Sequence, residues 1–187
     1  LPWTFFSGAV GAAVTSVVEG NALATKIYFP RPILPIVTVV SGFFGLIPGV
    51  VIMGGMALML GADFGPALLL LVPAIALLLA LATGFALVFS ILQVYARDVK
   101  HIVSAIMLPW FWGSGIFYPL TVLSPTFRRY IEVNPAVGMV QLFRASIGAA
   151  DPGWESALWW SLGWVSVLFV IAALLFRRYD RVCVDLL

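Results

Sequence analysis

Residues 66–96 read PALLLLVPAIALLLALATGFALVFSILQVYA, an uncharged run that ends only at Arg97. A helix needs about 20 largely apolar residues to cross a hydrocarbon core of about 30 Å, so this run is long enough for a full crossing. At about 1.5 Å per residue it is longer than a straight crossing requires, so it must tilt, kink or project, and Pro73 is a candidate kink.

Reading outward, Ile33 to Leu60 is uncharged, with Pro48 as a second candidate kink, and Leu1 to Val18 is uncharged up to Glu19. Downstream, His101 to Phe127 is uncharged if the histidine is neutral, and Ser156 to Phe176 is uncharged up to Arg177-Arg178. The expected fold is therefore all-α: a polytopic membrane protein with five transmembrane helices. Composition agrees, because 63% of the 187 residues are hydrophobic, 10% are charged and the mean hydropathy is +1.11. A soluble domain would carry roughly a quarter charged residues. The net charge of +2 is too small and scattered for a nucleic-acid surface, so lipid is the implied partner. Gly45/Gly49 and Gly61/Gly65 have the spacing of close helix contacts, a weak signal in Gly-rich apolar sequence.

Cys183 is the single cysteine, which excludes an internal disulfide and a thiol-based metal site. The chain opens Leu1-Pro2-Trp3 without a basic stretch, unlike a secretory signal, and reads as a fragment lacking one earlier crossing of a six-helix protein. Lys26, Arg31, Arg97, Lys100, Arg177, Arg178 and Arg181 fall on one side of the five crossings and Arg128, Arg129 and Arg144 on the other. Since Lys and Arg are retained in the cytoplasm, the expected C-terminus, 177–187, is cytoplasmic.

Charged residues occupy segment ends and loops, whereas ion-coupled carriers place ionisable groups near the midplane. There is no zinc pattern, no phosphate-binding loop and no intramembrane acid-base pair. No catalytic residue, cofactor or metal ligand is expected, and His101 beside Lys100 reads as an interface residue.

The loop 19–32 joins a candidate N-cap, Asn21, to a stiff re-entry at Pro30, Pro32 and Pro35. It is either a docking knob presenting Tyr28, Phe29 and Arg31 or an ordinary interfacial loop with aromatic and basic anchors. Arg97 and Asp98 lie in a tight turn on the same side, where they could contact a partner or cap helix ends. On the other side, Ser124-Pro125 and Asn134-Pro135 are each an N-cap followed by proline at the first helical position, predicting two short outer helices within 124–148 that Gly148 can end. Val137, Val140, Phe143 and Ile147 recur at helical spacing, predicting an apolar face resting on or dipping into the membrane. That pair is either a structural re-entrant element or an outer gate. Trp110, Phe111, Trp112, Phe117 and Tyr118 crowd the fourth run, where aromatic faces could line a path for sugar rings. Trp154, Trp159, Trp160 and Trp164 read as an interfacial belt.

Lys26-x-Tyr28-Phe29-Pro30-Arg31-x-Ile33-Leu34-Pro35, Tyr95-x-Arg97-Asp98-Val99, Tyr118-Pro119, and Asn134-Pro135 with Arg144 occur in that order across nearly the whole chain. Together they resemble the type-2 ABC exporter permeases of polysaccharides and polyol phosphates. The resemblance implies a homodimeric permease of a bacterial cytoplasmic (inner) membrane, with two copies around a channel, driven by separate ATP-binding subunits. It implies a lipid-linked glycan cargo such as O-antigen, capsule or teichoic acid, and no enzymatic activity in this chain. Coupling to the ATPase would fall on Lys26, Tyr28, Phe29, Pro30, Arg31, Arg97 and Asp98. The channel lining would include Trp110, Phe111, Phe117 and Tyr118, and the outer gate Asn134, Pro135 and Arg144. The competing expectations are a type-2 permease for a drug or lipid, and a passive channel or scaffold with no ATPase partner.

Overall fold

The computed structural model describes residues 1–24, 30–59 and 65–184. Among these, regular structure is entirely helical: α1 (Pro2–Val14), α2 (Ser16–Ala24), α3 (Ile33–Met59), a 3₁₀ turn (Pro66–Leu70) leading into α4 (Leu71–Tyr95), α5 (Val99–Trp112), a second 3₁₀ turn (Leu120–Val122), α6 (Pro125–Glu132), α7 (Pro135–Ser146) and α8 (Glu155–Val184). Among the described residues, three stretches are long and apolar enough to cross a membrane: Ile33–Met56, Pro66–Tyr95 and Glu155–Arg178. The all-α, polytopic class follows.

The first and fourth apolar runs take a different form from a single long helix. The first is divided at Thr15 into α1 and α2, although Thr15 keeps right-handed helical angles and the Glu19 amide donates to its carbonyl at 2.9 Å. Asn21 therefore lies inside a helix that began at Ser16, and the expected N-cap there is not one. In the fourth run the long helix α5 ends at Trp112 and spans only about 21 Å at 1.5 Å per residue, short of a crossing on its own, before the chain turns into the short helical pieces Leu120–Val122 and α6. Pro73 falls in the first turn of α4, where its missing amide costs no helical bond, so it marks the change from 3₁₀ to α geometry.

α4 occupies the centre. It is apolar all round, as a helix enclosed by others must be, and Leu78, Leu81 and Ile91 are fully buried. α1, α3, α7 and α8 pack around it. From α1, Phe6 meets Phe85 edge-on with ring centroids 5.8 Å apart, and Val10 and Val14 are buried. α3 and α8 present Phe44, Val51, Val170 and Leu174 outward, an arrangement that only lipid or another apolar partner satisfies. Gly45 meets nothing within 4 Å and Gly49 faces only the Leu1 side chain, so neither marks a backbone approach. The close approach falls instead at Gly138, where an added Cβ would strike the Ala157 carbonyl and the Ser161 hydroxyl.

α6 and α7 begin where the local signals place them. The Ser124 hydroxyl accepts from the Phe127 amide, the Asn134 side chain accepts from the Ala136 amide, and Pro125 and Pro135 each open a helix. Gly148, at φ 71°, follows the end of α7 in the left-handed conformation that glycine adopts without strain. The expected membrane-facing side of α7 does not form as expected. Val137 and Val140 are buried in protein, because α7 is wedged between α4 and α8, and only Ile147 of that set is well exposed.

Candidate functional site

Candidate site residues fall at both ends of α5, and a side-chain amide holds each end, the buried Gln93 at one and the half-buried Asn134 at the other. At the end where α4 passes into α5, Gln93 is 5% exposed. Its Nε2 donates to the Arg97 carbonyl at 2.9 Å and its Oε1 accepts from the Lys100 amide at 2.8 Å. One buried amide thus holds both ends of the Arg97–Lys100 turn, which satisfies polar groups that would be costly if left unpaired. Beside it opens a cavity of about 580 Å³ lined by Thr15, Val18, Glu19, Gln93, Arg97, Asp98, Lys100 and His101, among others.

Arg97 and Asp98 are exposed. Their side chains form no ion pair among the described residues, so the turn presents both charges to whatever covers it. Pro30 is exposed and Arg31 half-buried at the start of α3, where their carbonyls accept from the Ile33 and Leu34 amides. Lys26, Tyr28 and Phe29 lie outside the described residues.

At the opposite end, Asn134 joins three elements. Its Oδ1 accepts from the Trp110 indole at 2.8 Å and the Ala136 amide at 3.0 Å, and its Nδ2 donates to the Gly113 carbonyl at 2.9 Å. The Pro135 carbonyl accepts from Ser161 Oγ at 2.7 Å, and the Val133 carbonyl from the Trp164 indole at 2.8 Å. Arg144 donates to the Ile116 carbonyl at 2.9 Å and approaches Asp151 at 3.4 Å. Of the three residues expected at an outer gate, Asn134 and Arg144 thus secure the segment that follows α5, while Pro135 is tied to α8 through Ser161. Trp164, read from sequence as part of a belt, has a defined polar partner there.

The aromatic residues divide into two groups. Trp110 packs edge-on against Trp3, Phe6 and Phe85, with centroids 6.0, 5.5 and 5.0 Å away, so its ring lies within the helix packing. Phe111 is half-buried against Trp3 and Phe117, and Tyr118 is half-buried. Phe117 is 61% exposed and stacks on Trp112, itself 57% exposed, at 5.0 Å and 28° between planes. Trp112, one of the crowded aromatics in sequence but absent from the lining that the resemblance implies, shares the exposed ring face with Phe117. Gln93, Gln141 and Asp151 carry no signal of this kind in the sequence reading. The usable signal for the two glutamines was an amide inside an apolar helix, which is unfavourable unless it has partners.

The sequence matches the family described as ABC-2 type transporter over residues 1–147. It is 28% identical over 151 residues to an O-antigen export system permease protein of Myxococcus xanthus, covering 78% of this chain and 56% of that protein. Two proteins of the same description from Klebsiella pneumoniae are each 26% identical, over 150 and 149 residues, covering 76% of this chain and 56% of each relative. The chain thus spans a little over half the length of these relatives. With a helical, lipid-compatible fold and a match over most of its length, this chain is a multi-pass membrane protein that belongs to the ABC-2 type transporter family.

Proposed function

We propose that the chain is the transmembrane permease of an ATP-driven exporter that moves a lipid-linked polysaccharide or polyol phosphate polymer across the cytoplasmic membrane of a bacterium. The observation that carries the reading is the similarity, over three quarters of the chain, to permeases named for O-antigen export. The exposed Trp112–Phe117 pair supports the cargo class, since sugar rings stack on flat aromatic faces.

In this reading two copies enclose a channel, and a separate ATP-binding subunit docks at the end that carries the Lys26–Arg31 segment and the Arg97–Asp98 turn. The C-terminus lies on that same, cytoplasmic side. Nucleotide binding closes the ATP-binding subunits, and the docked turns transmit the motion as rigid-body displacement of the helices. The Gln93 bonds make the second turn stiff enough to carry it. No chemistry is required of the permease beyond a path of suitable shape.

The test is reconstitution of the full-length protein with its ATP-binding subunit in proteoliposomes. Lipid-linked glycan is expected to stimulate ATP hydrolysis, while a diacyl phospholipid or a cationic drug is not. Stimulation by drug or phospholipid instead would make the chain a permease for that cargo. A protein that retains no ATP-binding subunit would be a passive channel or scaffold.

A further inference from the structure

Several segments converge on the carboxylate of Asp151, which is 7% exposed. Its Oδ2 accepts from the Leu120 amide at 3.0 Å, from Gln141 Nε2 at 2.6 Å and from Arg144 Nη1 at 3.4 Å. The Asp151 amide donates back to Gln141 Oε1 at 3.1 Å. Arg144 Nη2 reaches the Ile116 carbonyl at 2.9 Å, and Asn134 holds the Gly113 carbonyl at 2.9 Å. The segment from Gly113 to Leu120 is therefore fixed at three backbone points, and Phe117 stands between the last two.

A buried carboxylate is expensive unless it is paired and hydrogen-bonded, and apolar packing could have closed this end of the bundle without one. What a charged, hydrogen-bonded network adds is orientation, because each bond fixes an angle as well as a distance. The network anchors Leu120, itself a fully buried side chain, and between that anchor and the Ile116 carbonyl stands Phe117, whose ring is exposed.

We propose that Asp151 is a positioning residue. Through the Leu120 amide and Arg144 it sets the pitch of the Gly113–Leu120 segment and so holds Phe117 stacked on Trp112, with the shared face open to a sugar ring of the cargo. This rests on the export reading above, and the test separates the two.

In full-length permease reconstituted with its ATP-binding subunit, Asp151→Ala is expected to raise the half-stimulating concentration of lipid-linked glycan about tenfold, the scale of one lost charge-assisted bond, with less than about a twofold fall in the saturated rate. Phe117→Ala raises it similarly, and the double variant is no worse than either single one, since both remove the same contact. Asp151→Asn, which keeps the acceptor for Leu120 but not the charge, falls between. A cargo-independent readout is the rate at which Phe117→Cys reacts with a maleimide, which shifts at least about threefold when Asp151→Asn is added, again the scale of a weakened charge-assisted bond.

Fully additive effects, an Asp151→Ala loss confined to the saturated rate, or an unchanged maleimide rate would overturn the positioning role. If Phe117→Ala is silent while glycan still stimulates the wild type, the positioning role falls and the export reading stands. If glycan does not stimulate the wild type at all, the export reading falls and the positioning role falls with it.

Discussion

The indole N–H of Trp110 donates to Asn134 Oδ1 at 2.8 Å, tying the last turn of α5 to the first turn of α7 across 24 residues of chain. The same oxygen caps α7 through the Ala136 amide, so one side chain ends one helix and begins another.

Asn134→Ala should therefore cost more than a cap. Loss of the cap contributes about 1 kcal/mol, and leaving the Trp110 indole unpaired in a half-buried site contributes about 1–3 kcal/mol. Asn134→Asp, which keeps the acceptor for the Trp110 indole and the Ala136 amide but sets a carboxylate oxygen against the Gly113 carbonyl, should also melt below wild type. Thermal unfolding of the purified full-length protein in detergent measures both; equal melting of Asn134→Ala and wild type would contradict the junction.

The α7–α8 contact makes a steric prediction. A methyl group at Gly138 would meet a backbone carbonyl that cannot move aside, so Gly138→Ala should destabilise by about 1–3 kcal/mol. Gly54→Ala in α3, with nothing within 4 Å, should be neutral or slightly stabilising. Comparing the two melting temperatures checks this, and equal effects would mean α7 is not seated against α8.

Gln93→Ala should loosen the Arg97–Lys100 turn without unfolding α4, because the side chain bonds only that turn. Hydrogen exchange at the Lys100 amide is expected to accelerate by roughly tenfold, the scale of one hydrogen bond. Unchanged protection there would show that the turn holds itself.

Phe117→Ala should leave stability within about 1 kcal/mol, since an exposed stacked pair contributes little more than that. A larger drop in melting temperature would make Phe117 a packing residue and remove it from any path.

Much of this was legible because its signals are local. Ser124-Pro125 and Asn134-Pro135 announce their helices within two residues, and the uncharged run before Arg97 announces α4. What was not legible depends on contacts distant in sequence. Val137 and Val140 have the same spacing whether they face lipid or protein, and only the placement of α4 and α8 decides. Hydropathy is equally blind to the end of α5, since Gly113 to Tyr118 is as apolar as a helix but turns at Gly115, φ 66°. The path candidates divided for the same reason: Trp110 and Phe117 are alike in sequence, but one packs among Trp3, Phe6 and Phe85 and the other stacks on Trp112 with most of its ring exposed. Asp151 gives no sign in sequence of its partners, since Leu120 and Gln141 lie 31 and 10 residues away.

In the function proposed above, the chain is a permease docked on an ATP-binding subunit through its 26–31 segment. The most direct measurement is co-purification of the full-length protein with that subunit, comparing wild type with Phe29→Ala/Arg31→Glu. Retention of the subunit by the wild type and its loss from the variant, with the variant still folded, is the predicted result. A wild type that retains no subunit, or a variant that retains it in full, would contradict the claim.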